Sequence, residues 1–208
     1  MVQIIQGKEV TLVDLVEKFN LQRSQDEQFF REWQDNLPEL SESDKQTLIE
    51  VKAEYLHLSQ YTILEPVVKM VVLSPLLRLA GFYKSPFYIA SEREVEISSE
   101  DEETIIRGRI DILVFQPPFW VLVIEAKRAE YSLVPAIPQA LTYMLTNLTP
   151  EKPAFGFVTN GSEFRFIKLV LAQTPQYALS DLFALDSRDD IDNVVKILKR
   201  LAQFVSQQ

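Results

Sequence analysis

Gly108-Arg109-Ile110-Asp111-Ile112-Leu113-Val114-Phe115, then Gln116-Pro117-Pro118-Phe119, then Trp120-Val121-Leu122-Val123-Ile124-Glu125-Ala126-Lys127-Arg128 is the stretch on which the fold turns. Two apolar, β-branched runs flank a proline turn. The pattern predicts strands over Thr104 to Phe115 and Trp120 to Ala126, the second buried on both faces. Three charged residues interrupt these runs: Asp111 inside the first, Glu125 and Lys127 near the end of the second. Charged side chains are almost never buried unless paired or bound to a metal. Glu125 and Lys127, two apart in a strand, leave the same face. A hairpin over the prolines would bring Asp111 back beside Glu125.

Two carboxylates with open positions suit Mg²⁺, or equally Mn²⁺, which take oxygen ligands and keep water or phosphate in their remaining positions. Asp111 and Glu125 are therefore the candidate metal ligands. A metal-bound water is a nucleophile, and the Lys127 ammonium can orient it or stabilise charge on phosphorus. That chemistry is phosphodiester hydrolysis. The competing explanation is a structural ion-pair cluster at a strand end.

Outward from this stretch, the first 60 residues read as helices. Thr11 and Asp14 have capping-box spacing before Leu12, Val13, Leu15, Val16 and Phe19. Ser24 and Glu27 repeat it before Phe29, Phe30 and Trp33, which read as core rather than as a stacking platform. Ser41 and Asp44 open a third helix. Pro66 marks the first turn of a fourth, Ser74 and Pro75 a cap and first position of another turn, and Gly81 its stop. Tyr88, Val95 and Ile97 fall in an extended pattern, and the acidic run Glu100 to Glu103 reads as a solvated turn. After the central pair come a helix over Pro135 to Leu148, strands over Ala154 to Thr159 and Phe164 to Leu171 around Asn160-Gly161, and an amphipathic helix over Asp189 to Val205. The sum is an α/β fold: a mixed sheet flanked by helices. It divides into a helical N-terminal extension (residues 1–60) packed on a core domain (61–208), the extension covering the core or forming a homodimer face.

With 208 residues, 47% hydrophobic and 25% charged, the composition is that of an ordinary globular chain. The absence of cysteine excludes disulfides, thiolate metal sites and a cysteine nucleophile. The single histidine, His57, lies in a helical segment and reads as a surface residue, which disfavours a Ser-His-Asp triad. No apolar run reaches the roughly 18 residues of a membrane span, and no signal peptide is visible, so the cytoplasm is the expected location. The net charge of −9 argues against a general nucleic-acid binder, although a carboxylate-bound cation supplies positive charge where it is needed.

Taken together these segments resemble the PD-(D/E)XK, restriction-endonuclease-like superfamily, and more narrowly the nuclease domain at the N-terminus of type I restriction enzyme R subunits. Gly108-Arg109-Ile110-Asp111 and Glu125-Ala126-Lys127-Arg128 match the two core motifs, with Ile110 where the motif's proline would stand. Gln139 and Tyr143 match the Gln-x-x-x-Tyr element, Thr159-Asn160-Gly161 a strand-end turn, and Glu65 a further acidic position. The resemblance spans about residues 60 to 170. It implies a Mg²⁺- or Mn²⁺-dependent DNA nuclease with Asp111, Glu125, Lys127 and Glu65 as catalytic residues. No Gly-x-x-x-x-Gly-Lys-Ser/Thr loop is present, so an ATP-driven motor or a specificity subunit would be a separate partner.

Several roles stay open between function and structure. Glu65 has capping-box spacing from Thr62, so it is either a cap or a metal or water-positioning residue. Gln139 and Tyr143 share a helix face and either contact substrate, orient Lys127 or simply pack. Arg107, Arg109 and Arg128 are candidate phosphate contacts, unless acidic neighbours hold them. Lys69, Arg78 and Lys84 read as a solvated face. Two other functions remain: a catalytically silent scaffold, and a nuclease acting on RNA, which the same phosphate chemistry would serve.

Overall fold

The computed structural model describes residues 3–99, 104–117, 119–150 and 152–206. The acidic run Glu100 to Glu103 and Pro118 of the proline turn lie outside them. In chain order the elements are β1 (Gln3–Gln6), a 3-10 turn (Gly7–Glu9), α1 (Leu12–Phe19), β2 (Gln22–Arg23), α2 (Glu42–Leu58), α3 (Glu65–Val68), a π-helical turn (Lys69–Leu73) and α4 (Ser74–Ala80). Then follow β3 (Tyr88–Ser98), β4 (Thr104–Gln116), β5 (Phe119–Ala126), α5 (Ala136–Leu145), β6 (Ala154–Thr159), β7 (Glu163–Leu171), β8 (Pro175–Leu179), β9 (Phe183–Ala184) and α6 (Asp190–Ser206).

All nine strands join one mixed sheet, with the order β1-β4-β5-β6-β7-β8-β2, β3 on β4 and β9 on β7. The predicted hairpin is present: β4 and β5 are antiparallel, with Ile112 opposite Ile124 and Val114 opposite Leu122. β5 then runs parallel to β6, and α5 makes the crossover such a pair requires. Each strand edge bonds one neighbour at a time. Since β3 lines β4 from Ile105 to Phe115, β1 and β5 share the other edge, β1 at Thr104–Arg107 and β5 from Ile112 onward. Residues 108–111 fall between them.

Two apolar layers cover the sheet. One joins α2, α4 and α6 to Val114, Leu122, Ile124, Phe157 and Phe166, with Phe157 stacked on Phe166 at 4.7 Å between centroids. The other joins α1 and α5 to Leu113, Val123, Val158 and Ile167. No helix of the described residues is long and apolar enough to cross a membrane.

The first 60 residues depart from the all-helical expectation. Both capping boxes form, Thr11 with Asp14 and Ser41 with Asp44. The Ser24–Glu27 signature does not start a helix. Ser24 Oγ accepts the Asp26 N–H at 3.2 Å and Asp26 Oδ1 accepts the Gln28 N–H at 2.9 Å, so side chains take the backbone donors a helix start would organise. The resulting turns still bury Phe30 in the core, as expected for the aromatic trio. Lys168 Nζ pins the turns by donating to the Phe29 carbonyl at 2.8 Å and to Glu32 Oε1 at 2.6 Å. β1 and β2 place two further parts of this segment inside the sheet itself. Ser74 is also no cap. Its backbone is helical (φ −61°, ψ −44°), and its N–H reaches back five residues to the Lys69 carbonyl. One helix thus runs from Glu65 to Ala80 through a π-turn placed just before Pro75, whose missing N–H cannot complete a regular turn. Gly81 stops it in the left-handed region, at φ 88°.

Candidate active site

The site forms where β4 and β5 part company. Past the Ile112–Ile124 pair the two backbones no longer bond, and the freed amides need acceptors. The carboxylates supply them crosswise. The Ala126 N–H donates to Asp111 Oδ2 at 2.8 Å, and the Asp111 N–H donates to Glu125 Oε1 at 3.4 Å. Asp111 and Glu125 are thus brought together by the strand split, as the sequence pattern predicts.

Glu125 is fully buried, yet its Oε2 has no hydrogen-bond partner. Lys127 Nζ stands 3.7 Å away, an ion pair without a hydrogen bond. Burial, with the Asp111 charge adding to it, pushes the Glu125 carboxyl well above the usual range. Asp111 is also pushed up, mainly by burial, against the pull of Lys69 and the Ala126 amide. A buried carboxylate with one oxygen lacking a hydrogen bond, set beside a half-buried one, leaves negative charge that the protein does not fully satisfy. That is the electrostatic condition a divalent cation relieves. Among the described residues no cluster of three or more acidic or histidine side chains is arranged as a metal cage. The donor set is instead the sparse one Mg²⁺ accepts, one or two carboxylates with the remaining positions left to water and phosphate.

Lys127 lies just past the end of β5. Its backbone N–H bonds the Thr159 carbonyl at 2.8 Å, which keeps it in line with β6. Its ammonium donates to Gln139 Oε1 at 2.7 Å, Gln139 Nε2 donates to Tyr143 Oη at 3.2 Å, and Tyr143 Oη accepts the Arg109 N–H at 3.3 Å. The chain closes a loop from β5 through α5 back to β4. Gln139 and Tyr143 are both buried, and burial, with the Glu125 charge nearby, pushes the Tyr143 phenol up to about 12. Glycine is required where Tyr143 crosses the backbone. A Cβ on Gly108 would lie 2.5 Å from ring carbon Cε1, and one on Gly7 would lie 2.6 Å from Oη.

Thr159-Asn160-Gly161 is the turn expected at the end of β6. Gly161 takes φ 91°, Thr159 Oγ1 accepts its N–H, and Asn160 Oδ1 accepts the Glu163 N–H at 2.8 Å while Nδ2 donates to the Tyr131 carbonyl at 2.9 Å. The turn therefore ties the segment after Lys127 to the sheet.

Glu65 is not a cap: Leu64 takes that position without a side-chain bond. Its Oε1 pairs with Lys69 Nζ at 2.8 Å, and Lys69 in turn reaches Asp111 Oδ1 at 2.9 Å. Lys69 thus belongs to the site and not to a solvated face, a correction that the i, i+4 spacing from Glu65 could have signalled. Arg78 and Lys84 are exposed as expected, and so is His57. Arg109 faces solvent beside Glu94 at 3.3 Å, and Arg107 pairs with Glu96. Both arginines, with Gln6, Lys8, Gln139 and Tyr143, line an open polar groove beside the site. Arg128, next in the chain to Lys127, is exposed, its guanidinium 5.9 Å from the Tyr131 ring centroid.

The family model described as type I restriction enzyme R protein N terminus matches residues 17–173. A comparison with curated proteins gives no match. Among solved structures, a fragment assigned as an HsdR subunit of a type I restriction enzyme from Vibrio vulnificus YJ016 aligns at 20% identity and a TM-score of 0.40, over 68% of this chain and 26% of that one. The family match covers most of the chain, from α1 through every element of the site to the end of β7: the chain belongs to the family of type I restriction enzyme R protein N-terminal domains.

Proposed function

We propose that this domain is a divalent-metal-dependent nuclease that hydrolyses DNA phosphodiester bonds. The observation that carries the proposal is the vacant, fully buried Glu125 Oε2 set beside Asp111 and Lys127. A purely structural ion-pair cluster would also hydrogen-bond that oxygen, since a buried carboxylate oxygen without a hydrogen bond costs stability with nothing in return.

Asp111 and Glu125 would hold the cation, Mg²⁺ or Mn²⁺. Bound there, such an ion lowers the pKa of a coordinated water and polarises a phosphoryl oxygen. Lys127 has one side of its ammonium fixed by Gln139 and remains partly exposed, so it can orient a water or meet charge developing on the phosphate. Gln139 and Tyr143 act as positioning residues: they sit under the lysine, buried, and limit its rotamers. Arg109, with Arg107 and Lys8 along the groove, offers charge to the phosphate backbone, and the exposed Arg128 beside Lys127 is a further candidate contact. Membership of that family supports a setting beside DNA and the other subunits of a restriction system. The test is metal titration by calorimetry together with plasmid and single-strand cleavage, comparing the native protein with Asp111→Ala and Lys127→Ala. Metal binding lost in the first, and cleavage lost in both, is the expected result. Metal-independent cleavage, or no metal binding at millimolar concentration, overturns the proposal.

A further inference from the structure

Two backbone irregularities converge on one ammonium. The π-helical turn begins at Lys69, and such turns recur at functional sites. In β3, Glu92 takes φ 55°, a left-handed conformation rare for a non-glycine residue inside a strand. The β3–β4 register omits it, pairing Ser91 with Ile112 and Arg93 with Ile110, so Glu92 lies across from Asp111. Lys69 Nζ stands among three carboxylates from three elements: Glu65 Oε1 at 2.8 Å, Asp111 Oδ1 at 2.9 Å and Glu92 Oε1 at 3.5 Å. Its side chain is only 18% exposed. Strain kept inside a strand calls for a purpose, and here it brings a carboxylate to this ammonium.

We propose that Lys69 is a built-in competitor of the metal: it occupies Asp111 Oδ1 in the metal-free protein and sets the divalent-cation concentration at which the site fills. The inference rests on the metal-site proposal above. With Oδ2 engaged by the Ala126 N–H, Oδ1 is the Asp111 oxygen that would be left to hold a cation, and the ammonium already occupies it. A cation entering there must displace Lys69 from Asp111 or bind against its charge. Glu65 and Glu92 give the displaced ammonium two other anions on which to settle, so the exchange does not strand it. The lysine thus keeps Asp111 paired when metal is scarce and yields it when metal is abundant.

The experiment is a Mn²⁺ titration by calorimetry on native protein, Lys69→Met, Lys69→Arg and Asp111→Ala, with circular dichroism to verify folding. A neighbouring charge shifts a carboxylate's affinity for a proton by about one to three powers of ten, and a divalent ion feels twice the charge. Lys69→Met is therefore expected to bind Mn²⁺ at least about tenfold more tightly than native. Lys69→Arg, whose rigid fork grips carboxylates in pairs, is expected to bind no more tightly than native. A folded Lys69→Met with unchanged or weaker binding overturns the inference and leaves the metal site standing, because it makes Lys69 a support for Asp111 and not its competitor. If Lys69→Met does not fold, the arginine variant decides: tighter binding than native overturns the inference, equal or weaker binding supports it. No binding by native or by Lys69→Met overturns the metal site and this inference together.

Discussion

Replacing Glu125 by glutamine should stabilise the metal-free protein at pH 8 while it removes the metal site. The carboxylate is fully buried, its Oε2 accepts nothing, and its Oε1 accepts one long bond of 3.4 Å. Glutamine has the same shape, keeps the Oε1 acceptor and carries no charge. Lys127 loses an ion-pair partner at 3.7 Å but keeps Gln139 and some solvent, so that loss is small. The glutamine amide finds no more partners there than Oε2 did, so the gain is the extra cost of burying a charge over a neutral polar group, about 1–3 kcal/mol. At about 2–4 °C per kcal/mol for a domain of this length, the melting temperature should rise by roughly 2–12 °C.

The dependence on pH makes the test specific. Glu125 is pushed well above its ordinary 4.5 in the folded protein. Below 4.5 it is protonated both folded and unfolded, and the native protein pays nothing. As pH rises past 4.5 the unfolded chain releases the proton first, and the folded state grows relatively less stable until its own raised pKa is passed. The advantage of Glu125→Gln should therefore be small at pH 5 and larger at pH 8, read from thermal unfolding by circular dichroism in EDTA. Adding Mg²⁺ should raise the melting temperature of native protein and not of the variant, which reverses or narrows the gap. A variant that is less stable than native at pH 8, or whose advantage is the same at both pH values, would refute the reasoning.

Three further outcomes follow from the same geometry. Tyr143→Phe removes the acceptor for Gln139 Nε2 and the Arg109 N–H; it should cost about 1–3 kcal/mol in urea unfolding and lower cleavage with calorimetric metal affinity unchanged. Gly108→Ala drives a Cβ into the Tyr143 ring and should cost about 1–3 kcal/mol as overpacking, visible as a lowered melting temperature. Arg109→Ala breaks only exposed pairs with Glu92 and Glu94, so stability should hold within about 0.5 kcal/mol, while the salt dependence of DNA binding by anisotropy should fall by about one unit of slope.

The central hairpin and its three charges were legible because burial leaves no freedom: a carboxylate in the middle of an apolar β-branched run has few physical explanations, and a strand period of two fixes which neighbours share a face. The loop from Lys127 through Gln139 to Tyr143 was half legible, since an i, i+4 pair marks a face without saying what lies opposite it. Strands β1 and β2 were not, because each is short and pairs with a partner far along the chain, as β1 does with Thr104–Arg107; nor were β8 and β9, short strands that pair with the nearby β7. The segment from Ser24 carried a helix signature that its own Ser and Asp side chains overrode. The i, i+4 spacing from Glu65 is the one sign Lys69 gives in the sequence; that Asp111 and the left-handed Glu92 also meet it is set by the fold.

The net charge of −9 looks adverse for a protein proposed to act on DNA, and the pairing around the site gives that charge a consequence. Arg107 and Arg109 line the groove, but each faces a β3 carboxylate, Glu96 and Glu94. A phosphate backbone entering the groove has to exchange with those carboxylates, so the arginines gain only the difference between two anionic partners. Beside them, Asp111 and Glu125 repel phosphate unless a divalent cation reverses the sign of the local field. Binding should then be weak in EDTA at any salt, and should strengthen when Ca²⁺, an oxygen-seeking cation with a looser coordination geometry than Mg²⁺, is added to the native protein. The gain should be absent in Asp111→Ala and fluorescence anisotropy with a labelled duplex reads it directly. Equal affinity with and without the cation would place the DNA somewhere other than over Asp111 and Glu125.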